Sequence, residues 1–178
     1  MREVVDSDRV ERFLRELGRE GRAPGRIYLT GGGTAVLIGW RQTTVDLDLK
    51  LVPEDDRLLR AIARLKDTLS TNVEMASPDQ FIPVPPGWED RSVFIGRYGG
   101  LDCFHFDPTA QALAKIERGH PRDLDDVQAM IERGYVTVEG LERTFAAIEP
   151  ELFRYPAVDP TSFRKRLQRA VARASQES

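Results

Sequence analysis

The chain has 178 residues and a mass of 20.1 kDa, a size that fits one globular domain with a substantial core. Its 40% hydrophobic and 31% charged residues are typical of a soluble protein, and no apolar run reaches the roughly 20 residues that span a bilayer. The first residues lack the basic and then apolar order of a secretory signal, so we expect a cytoplasmic protein. A net charge of −3 argues against a broad duplex-binding surface.

The first half of the chain predicts alternating helices and strands. Apolar residues recur at helical spacing in some segments and alternate with polar residues in others. The predicted elements are a helix over 7–19 capped by Asp6 or Ser7, a strand over 26–29, a helix over 34–40, a strand over 45–52, a helix from Pro53, a strand over 72–75, and a hairpin over 92–106.

The second half of the chain is predicted to be helical. Helices are expected over 109–118, 123–133 and 138–148, with Gly134 ending the second, before a loop containing several prolines and a basic terminal helix. This order predicts an α/β fold, a mixed sheet flanked by helices with a helical C-terminal part. We divide the chain into an α/β core over 1–107 and a helical part over 108–178 that packs on it.

The terminal segment is basic, with Phe163, Leu167, Ala170 and Val171 spaced for one apolar helix face. Two interpretations are open. The segment is either a solvated terminal helix packed on the rest of the protein, or a contact for RNA or a protein partner.

Limited cysteine and histidine content restricts the metal chemistry. Cys103 is the single cysteine, so no internal disulfide forms, and no Cys/His cluster has zinc-ligand spacing. A metal bound by this chain should therefore be a hard cation held by oxygen.

A glycine-rich stretch and an Asp-x-Asp pair carry the strongest chemical signal. The stretch, Gly31-Gly32-Gly33-Thr34, leaves a short strand, and Asp46 and Asp48 follow on the next strand. Glycines allow the backbone to approach phosphates, and amides at the start of a helix can donate to them. Strand alternation sets both aspartates on one face, where they can hold Mg²⁺, and a two-metal site would need both. The alternative is a strand whose polar face meets solvent.

A third metal ligand has two candidates. Glu74 lies on the next predicted strand, whereas Asp102 lies in the hairpin. The absence of any third ligand is also open, and would indicate weakened or altered chemistry.

These motifs resemble a known family. Gly31-Gly32, a short helix and then Arg41-x-Thr43-Thr44-Val45-Asp46-Leu47-Asp48-Leu49 are similar to the signature of the nucleotidyltransferase fold shared with DNA polymerase β, in its minimal bacterial form. The segment from Ala114 to Val127 resembles the Lys…Arg…Arg-Asp-x-x-Asp region of AbiEii-like nucleotidyltransferase toxins. The resemblance covers residues 26–134. It implies transfer of a nucleoside monophosphate from an NTP with the help of two Mg²⁺ ions.

The toxin resemblance also implies partners and further site residues. Toxins of this kind add nucleotides to the 3′ end of tRNA and are neutralised by a cognate antitoxin. By the same resemblance, Lys115 contacts the triphosphate, and Asp126 orients it or assists the attacking hydroxyl. Lys115 and Arg118 lie one turn apart and project from one side of their helix, so Arg118 is a second candidate nucleotide contact. A structural ion pair between neighbouring helices is the alternative, and for Asp123 an N-cap role is favoured over catalysis.

The sequence departs from the family pattern at one place. The usual Gly-Ser is Gly31-Gly32 or Gly32-Gly33 here, so Thr34 or Thr30 would have to replace the serine contact. Arg41 could reach a phosphate or form a surface salt bridge. His105 could be a general base or a hydrogen-bonded histidine on a half-buried strand.

Two other functions fit the same residues. A small-molecule acceptor, as in aminoglycoside nucleotidyltransferases, belongs to the same reaction class. A degenerate member that binds nucleotide or a protein partner without turnover is the third reading, motivated by the missing serine and the uncertain third carboxylate.

Overall fold

A computed structural model describes residues 3–176 of the chain. The chain divides into two compact units, one formed by Met1–Ser77 with Ser92–Phe106 and the other by Pro78–Arg91 with Asp107–Ser178. The first contains a mixed five-stranded sheet with helices, and the second is helical. The α/β fold with a helical C-terminal part is therefore confirmed.

The first unit is built on a sheet with strand order β3-β2-β1-β5-β4. Strand pairs β1/β2 and β4/β5 are antiparallel, whereas β1/β5 and β2/β3 are parallel. In chain order the elements are α1 (Ser7–Gly21), β1 (Gly25–Thr30), α2 (Gly31–Ile38), β2 (Asp46–Val52), α3 (Asp56–Thr68), β3 (Asn72–Met75), β4 (Val93–Tyr98) and β5 (Leu101–His105).

The core of the first unit lies on one face of this sheet. Strand β2 alternates as predicted, so Leu47, Leu49 and Leu51 are buried with apolar side chains of α1, α2 and α3. Its polar residues, Asp46 and Asp48 among them, take the opposite face. The same alternation places Leu101 and Cys103 of β5 in the core.

Two helices of the first unit begin elsewhere than the sequence predicts. Helix α2 starts at Gly31, so the three glycines form its first turn instead of a turn that precedes it. Gly31 has φ of 57°, a backbone conformation open to glycine, and this residue turns the chain directly from β1 into α2. Helix α3 starts at Asp56, with the Asp55 side chain accepting a hydrogen bond from the Arg57 amide, and Pro53 lies before the helix.

The second unit contains α4 (Trp88–Arg91), α5 (Pro108–Arg118), α6 (Pro121–Glu132), α7 (Val138–Ile148), α8 (Pro160–Gln176) and 3₁₀ turns at Pro78–Gln80 and Glu149–Arg154. The buried Asp107 carboxylate caps α5 through the amide of Thr109 and accepts a hydrogen bond of 2.7 Å from Arg91. This contact ties the segment between β3 and β4 to α5.

One expectation for the second unit is wrong, and the structure shows how the basic segment packs. Asp123 is not the N-cap of its helix, because α6 begins at Pro121 with His120 in the cap position. The basic helix α8 packs within this unit, with Phe163 and Leu167 buried and the Phe163 ring 4.9 Å from that of Phe145. Between residues 3 and 176, none of the helices combines the length and apolar character needed to cross a bilayer.

Candidate nucleotide and metal site

The carboxylates of the first unit meet on two neighbouring strands. Asp46 and Asp48 lie on one face of β2, and the parallel register pairs Asp46 with Asn72 and Asp48 with Glu74. Since paired residues of adjacent strands project to the same side, Glu74 shares a face with both aspartates. The sheet thus brings three carboxylates with hard oxygen donors together, the ligand chemistry that Mg²⁺ prefers.

Asn72 bridges two of these carboxylates, Asp46 and Glu74. Its side-chain amide donates hydrogen bonds to Asp46 Oδ1 at 2.5 Å and to Glu74 Oε1 at 3.1 Å. In the described part of the chain, no group of three His, Cys, Asp or Glu side chains is arranged as a ready metal cage. The three carboxylates therefore have the oxygen donors that Mg²⁺ prefers, and two of them, Asp46 and Glu74, accept hydrogen bonds from Asn72.

Asp102 occupies a different region of the same sheet. It pairs in register with Arg26, at the opposite end of β1 from Thr30, which is the residue that faces Asp48. Its carboxylate accepts a hydrogen bond of 2.8 Å from Arg97 of the hairpin. Four residues along a strand correspond to about 13 Å, so Glu74 is much the nearer of the two candidates to Asp48.

The three glycines allow helix α2 to lie directly against β2. A Cβ atom on Gly31 would be 3.0 Å from Asp48 Oδ2, and one on Gly33 would be 2.7 Å from a Leu47 methyl group. On Gly32 it would lie 2.0 Å from the Thr44 hydroxyl oxygen. Only at Gly32 does the added atom meet the inner atoms of a side chain, so glycine there lets α2 pack closely on the segment that leads into β2. The Asp48 carboxylate lies beside the first residue of that helix.

The start of α2 has the features of an anion site. Its N-cap residue, Thr30, makes no side-chain capping hydrogen bond to the helix. Amides of a first helical turn and the helix dipole both favour negative charge. A phosphate at this end of α2 would lie next to the Asp48 carboxylate, an arrangement in which a metal ion must offset the like charges.

Thr34 and His105 support α2 from inside the unit. Thr34 is 1% exposed, its hydroxyl donates to the Leu29 carbonyl at 3.2 Å, and His105 Nδ1 lies 3.1 Å from the same oxygen. Because that hydroxyl hydrogen is directed to Leu29, we assign Nδ1–H of His105 as the donor to Thr34. Burial lowers the pKa of His105 to about 4, so its imidazole is neutral at pH 7. The histidine is the hydrogen-bonded strand residue that the sequence offers as one alternative.

Arg41, the remaining predicted nucleotide contact of the first unit, is half-buried in the loop after α2. Its backbone amide donates to the Ala35 carbonyl at 3.3 Å.

The predicted Lys115 and Asp126 lie in the second unit as a buried ion pair. Lys115 Nζ is 2.6 Å from Asp126 Oδ2 and 3.8 Å from Asp123 Oδ1, and Lys115 is 5% exposed. Arg118 adds a bidentate contact to Asp123, at 2.7 and 2.5 Å. Burial alone would raise the pKa of Asp123, but the Arg118 hydrogen bonds and the Lys115 charge outweigh it and hold this pKa below its usual value. These contacts form the structural ion pair between neighbouring helices that the sequence offers as an alternative to nucleotide binding.

Residues 9–159 match the model of a family described as a nucleotidyltransferase of unknown function (DUF6036). The chain belongs to the DUF6036 nucleotidyltransferase family. Neither a curated protein nor a solved structure matches it. Nucleotidyltransferases move a nucleoside monophosphate from a triphosphate to an acceptor, so the predicted enzyme class and the NTP substrate agree with membership of DUF6036.

One residue and one contact of this candidate site do not follow from the sequence patterns. The sequence indicates Asn72 only as part of a strand, although its place two residues before Glu74 puts it on the carboxylate face. The link between Thr34 and His105 joins residues 71 positions apart, and no local pattern could reveal it.

Proposed function

We propose that this protein transfers a nucleoside monophosphate from an NTP to an acceptor in a reaction that requires Mg²⁺. The observation that supports this most is the register of β2 and β3, which places Asp46, Asp48 and Glu74 on one face, with the first residue of α2 against Asp48. In this proposal the three carboxylates hold the metal, and the amides of residues 31–33 bind phosphate oxygens. Mg²⁺ held there would offset charge on the triphosphate and favour the ionised form of the attacking hydroxyl.

The chain's own residues have separable tasks. Asn72 keeps Asp46 and Glu74 at a fixed spacing through its two hydrogen bonds. The hydrogen bond from His105 to Thr34 fixes α2 relative to the sheet, so the amides keep their position. Thr34 therefore acts as a support for the phosphate-binding turn in this proposal.

The acceptor in this proposal is RNA, with tRNA as the leading candidate from the resemblance to AbiEii-like toxins. Both NTPs and RNA belong to the cytoplasm, which is the compartment we propose. A growth-inhibiting enzyme of this kind would need a cognate antitoxin, and the same resemblance makes that protein the proposed partner.

Label transfer tests the reaction and the metal ligands together. Purified protein is incubated with Mg²⁺ and each α-³²P-labelled NTP, with total RNA in one arm and a panel of small-molecule alcohols and aminoglycosides in the other. We expect labelled RNA, lost in Asp48→Ala and Glu74→Gln and retained in Asp102→Asn. Transfer by Asp48→Ala at the wild-type rate would overturn the site, and label only in the small-molecule arm would change the acceptor class.

Growth on induction tests the toxin role separately. We expect arrest with the wild-type chain and normal growth with Asp46→Ala. Healthy growth with wild-type protein that is active in the label assay would overturn toxicity and leave the transferase assignment intact.

A binding-only member of the fold is the second candidate, favoured by the absence of a ready three-ligand cage among residues 3–176. Calorimetric binding of Mg·NTP without pyrophosphate release, across both acceptor arms, would establish it in place of the enzyme.

A further inference from the structure

Three aromatic side chains form a row across the sheet of the first unit. Phe94 of β4 pairs in register with Phe104 of β5, which in turn pairs with Tyr28 of β1. The Phe104 ring stacks on Tyr28 with centroids 5.3 Å apart, and Phe94 meets Phe104 edge to face at 5.4 Å. Each ring is thereby held by its neighbour, which limits the rotamer freedom that Phe94 would lose on binding a ligand.

The row lies on the same face of the sheet as the carboxylates. Tyr28 pairs with Lys50 of β2, whereas Thr30, two residues further along β1, pairs with Asp48. The row of aromatic residues therefore lies next to the row that contains Thr30, Asp48 and Glu74, on the same face. The opposite face holds the core, to which Leu101 and Cys103 contribute. The aromatic row is therefore continuous with the proposed catalytic surface.

Exposure increases from the centre of the sheet to its edge. Tyr28 is fully buried, Phe104 is half-buried, and Phe94 is 58% exposed. The guanidinium carbon of the exposed Arg26 lies 6.0 Å from the centroid of the Phe104 ring. An exposed aromatic ring beside a guanidinium offers a stacking surface together with positive charge, the pair of features that single-stranded nucleic acids bind.

We propose that Phe94, supported by Phe104 and Tyr28, stacks a nucleobase of a single-stranded RNA acceptor just upstream of its 3′ end, with Arg26 near the adjoining phosphate. The proposal rests on the proposed function, since it names how that enzyme holds its acceptor. Aromatic rings on an open sheet face stack unpaired bases in several RNA-binding modules. Stacking needs few basic residues, which agrees with the net charge of −3.

The distance from Phe94 to the carboxylates identifies which base would stack. Asp48 is three strands away in the order β2-β1-β5-β4 and one row along. These steps correspond to about 14 Å across the sheet and about 7 Å along the strands. The base of an NTP is separated from its α-phosphate by a single sugar, so an NTP at the carboxylates does not reach Phe94. An acceptor strand with its 3′ hydroxyl at the carboxylates can extend back to it.

The edge of the sheet is poorly suited to the other common partner, a β-strand of another protein. The pairing of β4 with β5 is irregular between Phe94 and Gly96, and such a bulge disturbs the regular ladder on which strand addition depends. The exposed Arg97 is engaged with Asp102 on the same hairpin. These features favour binding across the face over pairing along the edge.

Fluorescence of 2-aminopurine, which is quenched when the base stacks, tests this proposal on the full chain, without NTP or metal for the RNA and with Mg²⁺ for a triphosphate. Single-stranded RNA oligonucleotides carry the probe at each of the last few positions before the 3′ end, and 2-aminopurine riboside triphosphate serves as a separate arm. We expect quenching at an upstream position of the RNA and none with the triphosphate. Quenching of the triphosphate alone would assign Phe94 to the NTP and overturn the proposal.

Variants of Phe94 provide the second readout. Phe94→Leu keeps an apolar side chain without a π-face, and we expect it to abolish quenching and raise the Kd for RNA by about fivefold or more. We expect Phe94→Tyr to retain the quenching and the affinity for RNA. Phe153→Leu, at a 77% exposed phenylalanine of the second unit, should leave both unchanged. Wild-type affinity and quenching in Phe94→Leu would overturn the proposed stacking on Phe94.

The same variants separate this proposal from the proposed function. RNA binding that depends on Phe94 in a protein that transfers no label would support stacking on Phe94 and contradict the proposed transferase activity. Label transfer to RNA with an acceptor KM that is unaltered in Phe94→Leu would support the transferase activity and contradict stacking on Phe94.

Discussion

Gly32 and Thr44 approach so closely that a Cβ atom on Gly32 would lie 2.0 Å from the threonine hydroxyl oxygen and 2.6 Å from its Cβ. Thr44 has little freedom to retreat, because its amide and carbonyl both pair with Val5 at 2.8 and 2.7 Å. The contact fixes the distance between α2 and the segment that leads into β2. Together with the register that pairs Thr30 with Asp48, it holds the start of α2 beside the aspartate strand.

Replacement of Gly32 by alanine should therefore disturb the site from within. We expect Gly32→Ala to lose about 1–3 kcal/mol of unfolding free energy, as overpacked sites do, together with most transfer activity. Gly33→Ala is the matched control, because its new methyl meets only the flexible end of Leu47 and gains helix propensity. Urea denaturation of both variants measures the difference, and equal stability of the two would contradict the steric argument.

Asn72 should matter for metal use more than for folding. Without its two hydrogen bonds, Asn72→Ala should lose about 10- to 100-fold in transfer activity or metal affinity, as removal of outer-shell partners does. Titration of activity against Mg²⁺ should show a higher half-saturating concentration, with little change in the melting temperature.

Asn72→Asp gives the complementary result. A fourth carboxylate beside Asp46 should lower the melting temperature in EDTA through like-charge repulsion, and Mg²⁺ should restore it by more than it raises that of wild type. An Mg²⁺-induced shift no larger than that of the wild-type protein would argue against metal binding at this face.

The buried pair of Lys115 and Asp126 predicts asymmetric effects of single and double changes. Lys115→Met removes the cation that lies 2.6 Å from the buried Asp126 carboxylate and should cost about 3–5 kcal/mol of unfolding free energy. Lys115→Met/Asp126→Leu removes both charges and should recover most of that loss. A loss below about 1 kcal/mol in the single variant would show that the carboxylate finds water or another partner.

Transfer activity of the double variant then examines the catalytic roles predicted for these two residues. A stable double variant without activity would support a role in the reaction beyond packing. Activity near the wild-type level would limit the pair to holding α5 and α6 together.

His105 predicts a specific loss of stability in mild acid. Its folded pKa is about 4 and its ordinary value is 6.5, so between these values the unfolded chain binds a proton that the folded chain does not. Stability is therefore unaffected by this group above about pH 6.5 and falls as the pH is lowered towards 4, by at most about 3 kcal/mol. Urea unfolding at pH 7 and pH 5 should show a smaller loss in His105→Gln than in wild type.

The other histidine provides the control. His120→Gln should keep the acid sensitivity of the wild-type protein, because His120 lies at the start of α6 outside the buried contact with Thr34. Equal pH dependence in wild type and His105→Gln would contradict the assignment to His105.

Local patterns in the sequence determined the elements and part of the site. Alternation in β2 is a property of consecutive residues, so the shared face of Asp46 and Asp48 could be predicted without a structure. The hairpin around Gly99 and the helix over Val138–Ile148 followed in the same way from turn residues and helical spacing. Nucleotidyltransferase chemistry could be inferred because its main residues lie close together in the chain.

Tertiary structure decided everything that depends on pairing between distant segments. The position of Glu74 beside Asp48, and of Asp102 far from it, is fixed by strand register, which a single sequence does not encode locally. The aromatic row exists because β5 lies between β1 and β4 and aligns Phe94, Phe104 and Tyr28. The three glycines are typical of a phosphate-binding turn, and only the packing of α2 shows that Gly32 is also needed for close contact with Thr44.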